Sequence, residues 1–495
     1  MLVHWLGLLA GTALALHPVK DFRTASLQKL KGGVSKQNVA IQVPGKSESN
    51  AASYTISTVS TLPSLAPTIA VSDKIQYVLT DVSQSIYYIN TTFTDTETQY
   101  EQTFQLLLDS GSDFTWIYNQ SCSSGACTRD LVPKFNDSRK INSGDKFELS
   151  YSGDSVSGDI LSTSSTDKTV FAFGSLQLTS FEFGLADEAP TIFNDFNVSG
   201  ILGIPSQSED HTKRSMFSQL YNEKIIDKPV FSLALVASNQ QIEYSGNVSA
   251  LPDNYGGLMF FGSEVAKNQQ TFTDSVKYLN IQSNDNAYWL VNVTDIKLFN
   301  DSYSGDFDIS ESSLQAIIDT GTTGMALPMD DADNLHSQLF GSSLVTDSKG
   351  NYAFPCDADA NITISLDGQK FSISVSDFKG DEYGSQLEGY CASKIQGLDD
   401  NNYWILGSIF LRRYYAIFDI QQHKIGLGVN NLLLYKLKEV KPTSITSSSL
   451  SSSTTVHGNS SSSQSTKHSK TSLANSSGLI AGLSYALLCM FAYII

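Results

Sequence analysis

Three features of this 495-residue sequence predict a mainly β, all-β-class protein built as two copies of one lobe. The first is a repeated triplet. "LLLDSGSDFTW" (106–116) and "AIIDTGTTGMALP" (316–328) each place an aspartate followed by Ser/Thr-Gly directly behind an apolar triplet. The second is an echo downstream, since Ile201-Leu202-Gly203 begins 92 residues after Asp109 and Ile405-Leu406-Gly407 begins 86 residues after Asp319. Self-similarity of this kind marks a duplicated unit. The third is periodicity. Segments such as "SIYYINTTF" (85–93) and "FAFGSLQLTSFEFG" (171–184) alternate with Gly, Asn, Asp and Ser turns, as half-buried strands do. Helical spacing is confined to "SMFSQLYNEKII" (215–226) and "MDDADNLHSQLF" (329–340).

Along the chain, the short apolar run in residues 1–16 ends in small residues and reads as a secretory signal peptide. Residues 17–74 form a basic leader that reads as a removable propeptide. The first lobe is expected over 75–255, with Asp109 and a flap, and the second over 256–435, with Asp319. "FELSYSGDSVSGDI" (147–160) predicts a β-hairpin with Tyr151 close to its tip. Residues 436–477 are a Ser/Thr-rich stalk, with 22 Ser or Thr in the 37 positions of 441–477. The tail, 478–495, is uncharged and mostly apolar with no basic flank after it, which suits a glycolipid (GPI) anchor signal better than a transmembrane helix. Asn475, followed by Ser476 and Ser477, is the expected attachment residue.

A secretory route makes the five cysteines interpretable. Cys489 lies in the tail that anchoring removes. The other four, Cys122, Cys127, Cys356 and Cys391, allow three pairings, of which pairing within each copy is the most economical. Sequons at Asn90, Asn119, Asn136, Asn197, Asn247, Asn292, Asn300 and Asn361, with two more at Asn459 and Asn475, agree with an extracellular glycoprotein. The net charge is −18; residues 17–70 and 436–495 each carry +4, so subtracting both leaves −26 for residues 71–435. An acidic body disfavours nucleic acid and suits cationic partners, although solubility alone also accounts for it. The seven histidines are scattered without metal-ligand spacing, there is no GxSxG elbow and no phosphate loop, so no metal or cofactor is expected.

A buried carboxylate is costly unless something compensates it. If the two copies pack about a two-fold axis, Asp109 and Asp319 face one another at the ends of their strands. Carboxylates that close share one proton at mildly acid pH, which supplies an acid and a base in one site. A water between them would lose a proton to the ionised carboxylate and attack a carbonyl while the protonated partner hydrogen-bonds that carbonyl oxygen. Ser110 and Thr320 would offer hydroxyls across the seam. Gly111 and Gly321 would let amides approach the carboxylates, and Ser112 and Thr322 would bond the outer carboxylate oxygens.

The two triplets, the two Ile-Leu-Gly segments and "WILGSIFLRRYYAIFD" (404–419) together resemble the pepsin family of aspartic endopeptidases over about residues 75–435. The resemblance implies a bilobal pepsin-like fold with pseudo-symmetric lobes, a flap closing over substrate through Tyr151, and Trp116 hydrogen-bonded to that tyrosine. It also implies disulfides Cys122–Cys127 and Cys356–Cys391, and makes "AYWLVNVTDIKL" (287–298) the strand entering the second lobe. The leader, stalk and tail are similar to those of the fungal glycolipid-anchored enzymes called yapsins, which cut beside Lys or Arg. This implies a monomeric zymogen carried to the plasma membrane or cell wall, acting on basic polypeptides such as secreted proteins, wall proteins and prohormones, with Asp154 helping to recognise the basic side chain. Ser152 follows Tyr151 where the family has Gly, while Ser199 and Ser408 stand where acids are common; neither of the last two is expected to touch the dyad. Lys213-Arg214 is a candidate internal cleavage site. Two other readings are an inactive wall glycoprotein keeping the fold as a binding module, and a freely secreted pheromone-degrading or nutritional protease.

Overall fold

Strands dominate, and their pairing explains the two echoes in the sequence. The computed structural model describes residues 74–431 apart from 81–85, 124, 129–131, 137–141, 152–153, 164–168, 174–175, 207–214, 237–253, 285–286, 301–302, 309–313, 386 and 400–401. The signal peptide, the leader up to 73, the stalk, the tail, Asn247, Asn475 and Lys213-Arg214 therefore lie outside the described residues. No helix among the described residues is long and apolar enough to cross a membrane.

In the first lobe the strand Tyr100–Asp109 runs parallel to Gly200–Gly203, with Leu108 opposite Leu202 and Asp109 opposite Gly203. Gly200–Gly203 pairs antiparallel with Trp116–Tyr118, which in turn runs parallel to Glu182–Glu188. The second lobe repeats the scheme. Gln315–Ile318 runs parallel to Tyr403–Leu406, the latter antiparallel to Met325–Pro328, and that parallel to Ile395–Leu398. Each Ile-Leu-Gly is thus the strand that flanks the aspartate-bearing strand, and its apolar side chains are buried on both faces, as parallel strands require. The glycines permit close packing. A Cβ on Gly203 would lie 2.7 Å from the Phe114 amide nitrogen, and one on Gly407 would lie 2.3 Å from the Thr322 carbonyl oxygen.

The lobes share a base. Ile75–Thr80, Tyr255–Phe261, Val230–Leu235, Tyr414–Asp419, Lys424–Val429 and Lys277–Asn280 form one continuous run of the larger sheet. The boundary expected at 255/256 falls inside Tyr255–Phe261, which is bonded to Ile75–Thr80 on one side and Val230–Leu235 on the other. The chain returns to this base at Tyr414–Asp419, so sequence position does not divide it into two contiguous lobes. Phe231 and Phe418 stack across it with centroids 4.5 Å apart.

Helices form at both expected places, Met216–Asn222, shorter than the expected 215–226, and Met329–Phe340, while a further helix, Ser263–Phe272, was not expected from the spacing. The cysteines pair as Cys122–Cys127 and Cys356–Cys391. Among the sequons, Asn90, Asn136 and Asn197 are exposed, and Asn361 is half-buried. Asn119, Asn292 and Asn300 are also half-buried, and their side-chain amides donate to Asp187, Asp367 and the Leu339 carbonyl.

Candidate active site

Asp109 ends its strand and Asp319 follows directly on Gln315–Ile318, and both are buried, at 0% and 2% exposure. Their turns interlock. The Ser110 amide donates to Thr320 Oγ1 at 3.0 Å, and Thr320 Oγ1 donates to the Leu108 carbonyl at 2.9 Å. The mirror pair is present: the Thr320 amide donates to Ser110 Oγ at 2.9 Å, and that hydroxyl donates to the Ile318 carbonyl at 2.9 Å. Four bonds across the seam hold the two strand ends in register, with every polar group satisfied, as burial demands. The serine at 110 supplies the same hydroxyl as Thr320 does opposite it, which is the atom the grip uses.

Within this clamp the carboxylates are fixed by short bonds. Ser112 Oγ donates to Asp109 Oδ2 and Thr322 Oγ1 to Asp319 Oδ2, each at 2.6 Å. The Gly111 amide is bifurcated, 2.9 Å from Asp109 Oδ1 and 3.0 Å from Asp319 Oδ1. Both inner oxygens are therefore gathered about one N–H. The Gly321 amide adds a bond to Asp319 Oδ1 at 2.8 Å. Asp319 thus accepts from three donors and Asp109 from two, and hydrogen bonds to a carboxylate favour its charged form. Burial and then the charge of Asp319 push the Asp109 carboxyl well above the usual carboxylate range. Burial raises Asp319 as well, but its bonds from Thr322, Gly321 and Gly111 oppose the rise. The site is asymmetric on a symmetric frame.

The surroundings add parts that the motifs did not announce. Ile204 follows the first Ile-Leu-Gly; its amide donates to the Asp109 carbonyl at 2.9 Å, and its own carbonyl accepts Trp289 Nε1 at 2.8 Å. The second lobe's entry strand is thus tied to the turn that carries Asp109. Tyr288, beside it, is a buried phenol held well above its usual range by burial, then by Asp113, with smaller effects from Tyr403, Asp109 and Asp319. It stays a neutral donor in the field of the pair. Ser408 bonds neither carboxylate but supports the turn that carries Asp319. Its Oγ donates to the Thr320 carbonyl at 3.2 Å and its amide to the Thr322 carbonyl at 2.7 Å, so residue 408 braces the dyad turn. Ser199 is buried, its hydroxyl has no partner among the described residues, and it bonds neither carboxylate.

The expected hairpin is formed by Asn142–Tyr151 and Asp154–Ser162, which pair up to Tyr151 opposite Asp154. Ser152 and Gly153, and the side chains of Tyr151 and Asp154, lie outside what is described. Phe147, at the hairpin's base, packs on Phe114 of the dyad loop with centroids 5.3 Å apart. Trp116 is fully buried against Tyr118 and Phe193. A cavity of about 500 Å³ opens on the hairpin strands, lined in part by Glu148, Asp187 and Glu188.

Two carboxylates presented by matching turns across the seam of a duplicated β fold define a class of acid–base hydrolases. The profile of the family described as eukaryotic aspartyl protease matches residues 98–430, and the chain belongs to that family, whose members are aspartic-type endopeptidases. It is 28% identical over 325 residues to a probable aspartic-type endopeptidase CTSD of Arthroderma otae, covering 65% of this chain and 77% of that one. It is 27% identical over 340 residues to the aspartic-type endopeptidase ctsD of Aspergillus fumigatus, covering 66% of this chain and 63% of that one, under two thirds of its length. It is 27% identical over 347 residues to cathepsin D of Homo sapiens, covering 66% of this chain and 77% of that one.

Proposed function

We propose that this protein hydrolyses peptide bonds with a water activated between Asp109 and Asp319, acting on polypeptides at Lys or Arg on the cell surface. The observation that carries the catalytic reading is the single Gly111 amide within 3.0 Å of both inner carboxylate oxygens. In the resting site the pair holds one proton, on Asp109, and Asp319 is the base. Asp319 takes a proton from the water as its oxygen attacks the scissile carbonyl carbon. Asp109 hydrogen-bonds the developing oxyanion. Collapse of the tetrahedral intermediate breaks the C–N bond, and the proton gained by the dyad passes to the leaving amine. The pair ends the cycle with the single proton it began with, and no covalent enzyme intermediate forms.

The preference for basic residues rests on the charge of −26 over residues 71–435 and on the acids about the hairpin, Glu148, Asp187 and Glu188, beside the expected contribution of Asp154. Surface attachment rests on the composition of the stalk and tail. The test is cleavage of peptides carrying a single Lys or Arg at mildly acid pH by wild type and Asp319→Ala. Loss of cleavage in the variant is the result expected, whereas equal cleavage by both overturns the dyad. Cleavage indifferent to Lys and Arg removes the specificity alone. A phospholipase specific for glycolipid anchors should release the protein from membranes, and retention after treatment removes the anchor.

A further inference from the structure

The helix Met329–Phe340 carries three aspartates in its first turns, and one of them does not face water. Asp331 is 2% exposed, and its Oδ2 accepts the indole N–H of Trp404 at 2.8 Å. Trp404 is itself fully buried and sits in Tyr403–Leu406, opposite Ala316 of the strand that leads to Asp319. Two residues on, the Leu406 carbonyl accepts the amide of Asp319 at 3.1 Å. A continuous path therefore runs from helix to indole to strand to the catalytic backbone. Among the described residues the first lobe has no such prop. Its residue equivalent to Trp404, counting back from Ile-Leu-Gly, is Gly200, where a Cβ would meet the Trp116 carbonyl oxygen at 2.0 Å.

The asymmetry has a reason in the site. Asp319 must hold its Oδ1 within 3.0 Å of an amide belonging to the other lobe, and a displacement of about 1 Å in such a contact is enough to cost a large factor in rate. A charge-assisted bond from an indole to a buried carboxylate is directional and short.

We propose that Asp331 is a positioning residue of the catalytic machinery, acting through Trp404 to hold the strand against which Asp319 is bonded. The inference rests on the dyad reading, and wild type beside Asp319→Ala separates failure of that reading from failure of this one.

The experiment compares Asp331→Leu, Asp331→Asn and Trp404→Phe in steady-state peptide cleavage, with rates normalised to folded enzyme by thermal unfolding. Leu is close in size and cannot accept, whereas Asn keeps an oxygen acceptor for the indole. Asp331→Leu and Trp404→Phe are expected to lower kcat roughly ten-fold with KM little changed. Asp331→Asn should restore at least half of the wild-type kcat. Where Asp331→Leu does not fold, Trp404→Phe and Asp331→Asn carry the comparison. Wild-type kcat in folded Trp404→Phe, or a loss in Asp331→Asn as large as that in Trp404→Phe, overturns the proposal. A fall in melting temperature with kcat intact assigns Asp331 to stability alone and overturns it too.

Discussion

Gly111 lies in the first lobe and Asp319 in the second, yet the amide of one is 3.0 Å from the carboxylate of the other. A Cβ on residue 111 would sit 2.9 Å from Asp319 Cγ, and one on Gly321 would sit 2.5 Å from Asp109 Oδ1. Gly111→Ala and Gly321→Ala should each push the carboxylates apart and lower kcat by roughly 100-fold, with the larger loss in Gly321→Ala because its contact is tighter. Cleavage kinetics on the folded variants read this. Activity within two-fold of wild type would mean that the amides do not set the geometry.

The seam clamp gives a stability prediction. Thr320→Val keeps the shape but removes the hydroxyl that accepts from the Ser110 amide and donates to the Leu108 carbonyl. Leaving those buried groups unsatisfied costs about 1–3 kcal/mol. Urea unfolding should show that loss, with activity falling further than stability because the two strand ends lose register.

The dyad also links stability to pH. The folded-state pKa of Asp109 is raised, by burial first, so the folded protein binds that proton more readily than the unfolded chain does. The stability so contributed is present below the ordinary carboxylate value and is lost as pH rises through the raised one. Asp109→Asn escapes this loss. Relative to wild type it should gain stability on going from acid to neutral pH, read from denaturant midpoints at the two values. Parallel curves would contradict the assignment.

His336 acts in the opposite sense. It is fully buried in the second lobe, with Nδ1 2.7 Å from the Ala332 carbonyl, Nε2 2.8 Å from Ser393 Oγ, and its ring stacked on Tyr352 at 4.0 Å. Burial lowers its pKa to about 4, while the Ala332 carbonyl and the charge of nearby Asp333 oppose the shift. Between the ordinary 6.5 and about 4 the unfolded chain holds the extra proton, so stability falls as pH falls through that window. The full effect is on the order of 3 kcal/mol. His336→Phe should flatten that decline in urea unfolding, and an unchanged slope would show that the imidazole does not titrate on unfolding.

Much of this architecture was legible because duplication prints its catalytic turns twice. The Asp-Ser-Gly and Asp-Thr-Gly turns, their Ile-Leu-Gly partners and the hairpin all depend on local chemistry that recurs at fixed positions. What stayed hidden depends on long-range pairing. The shared base gives no sign in the sequence because Tyr255–Phe261 reads like any apolar strand, and only its pairing with Ile75–Thr80 and Val230–Leu235 reveals it. Asp331 is one of three acids in the first turns of its helix, and nothing in its neighbours in sequence announces Trp404, 73 positions away. Ser408 was visible as a departure from an acid, but its bond to the Thr320 carbonyl requires the fold.

The central claim is that Asp109 and Asp319 work as one unit on one water. The most direct measurement is kcat/KM for Asp109→Asn, Asp319→Asn and the double variant on one peptide. Groups acting as a unit are strongly non-additive. Each single variant should fall as far as the double, to the same residual rate. A single variant that keeps substantial activity, or losses that simply multiply in the double, would contradict the shared dyad.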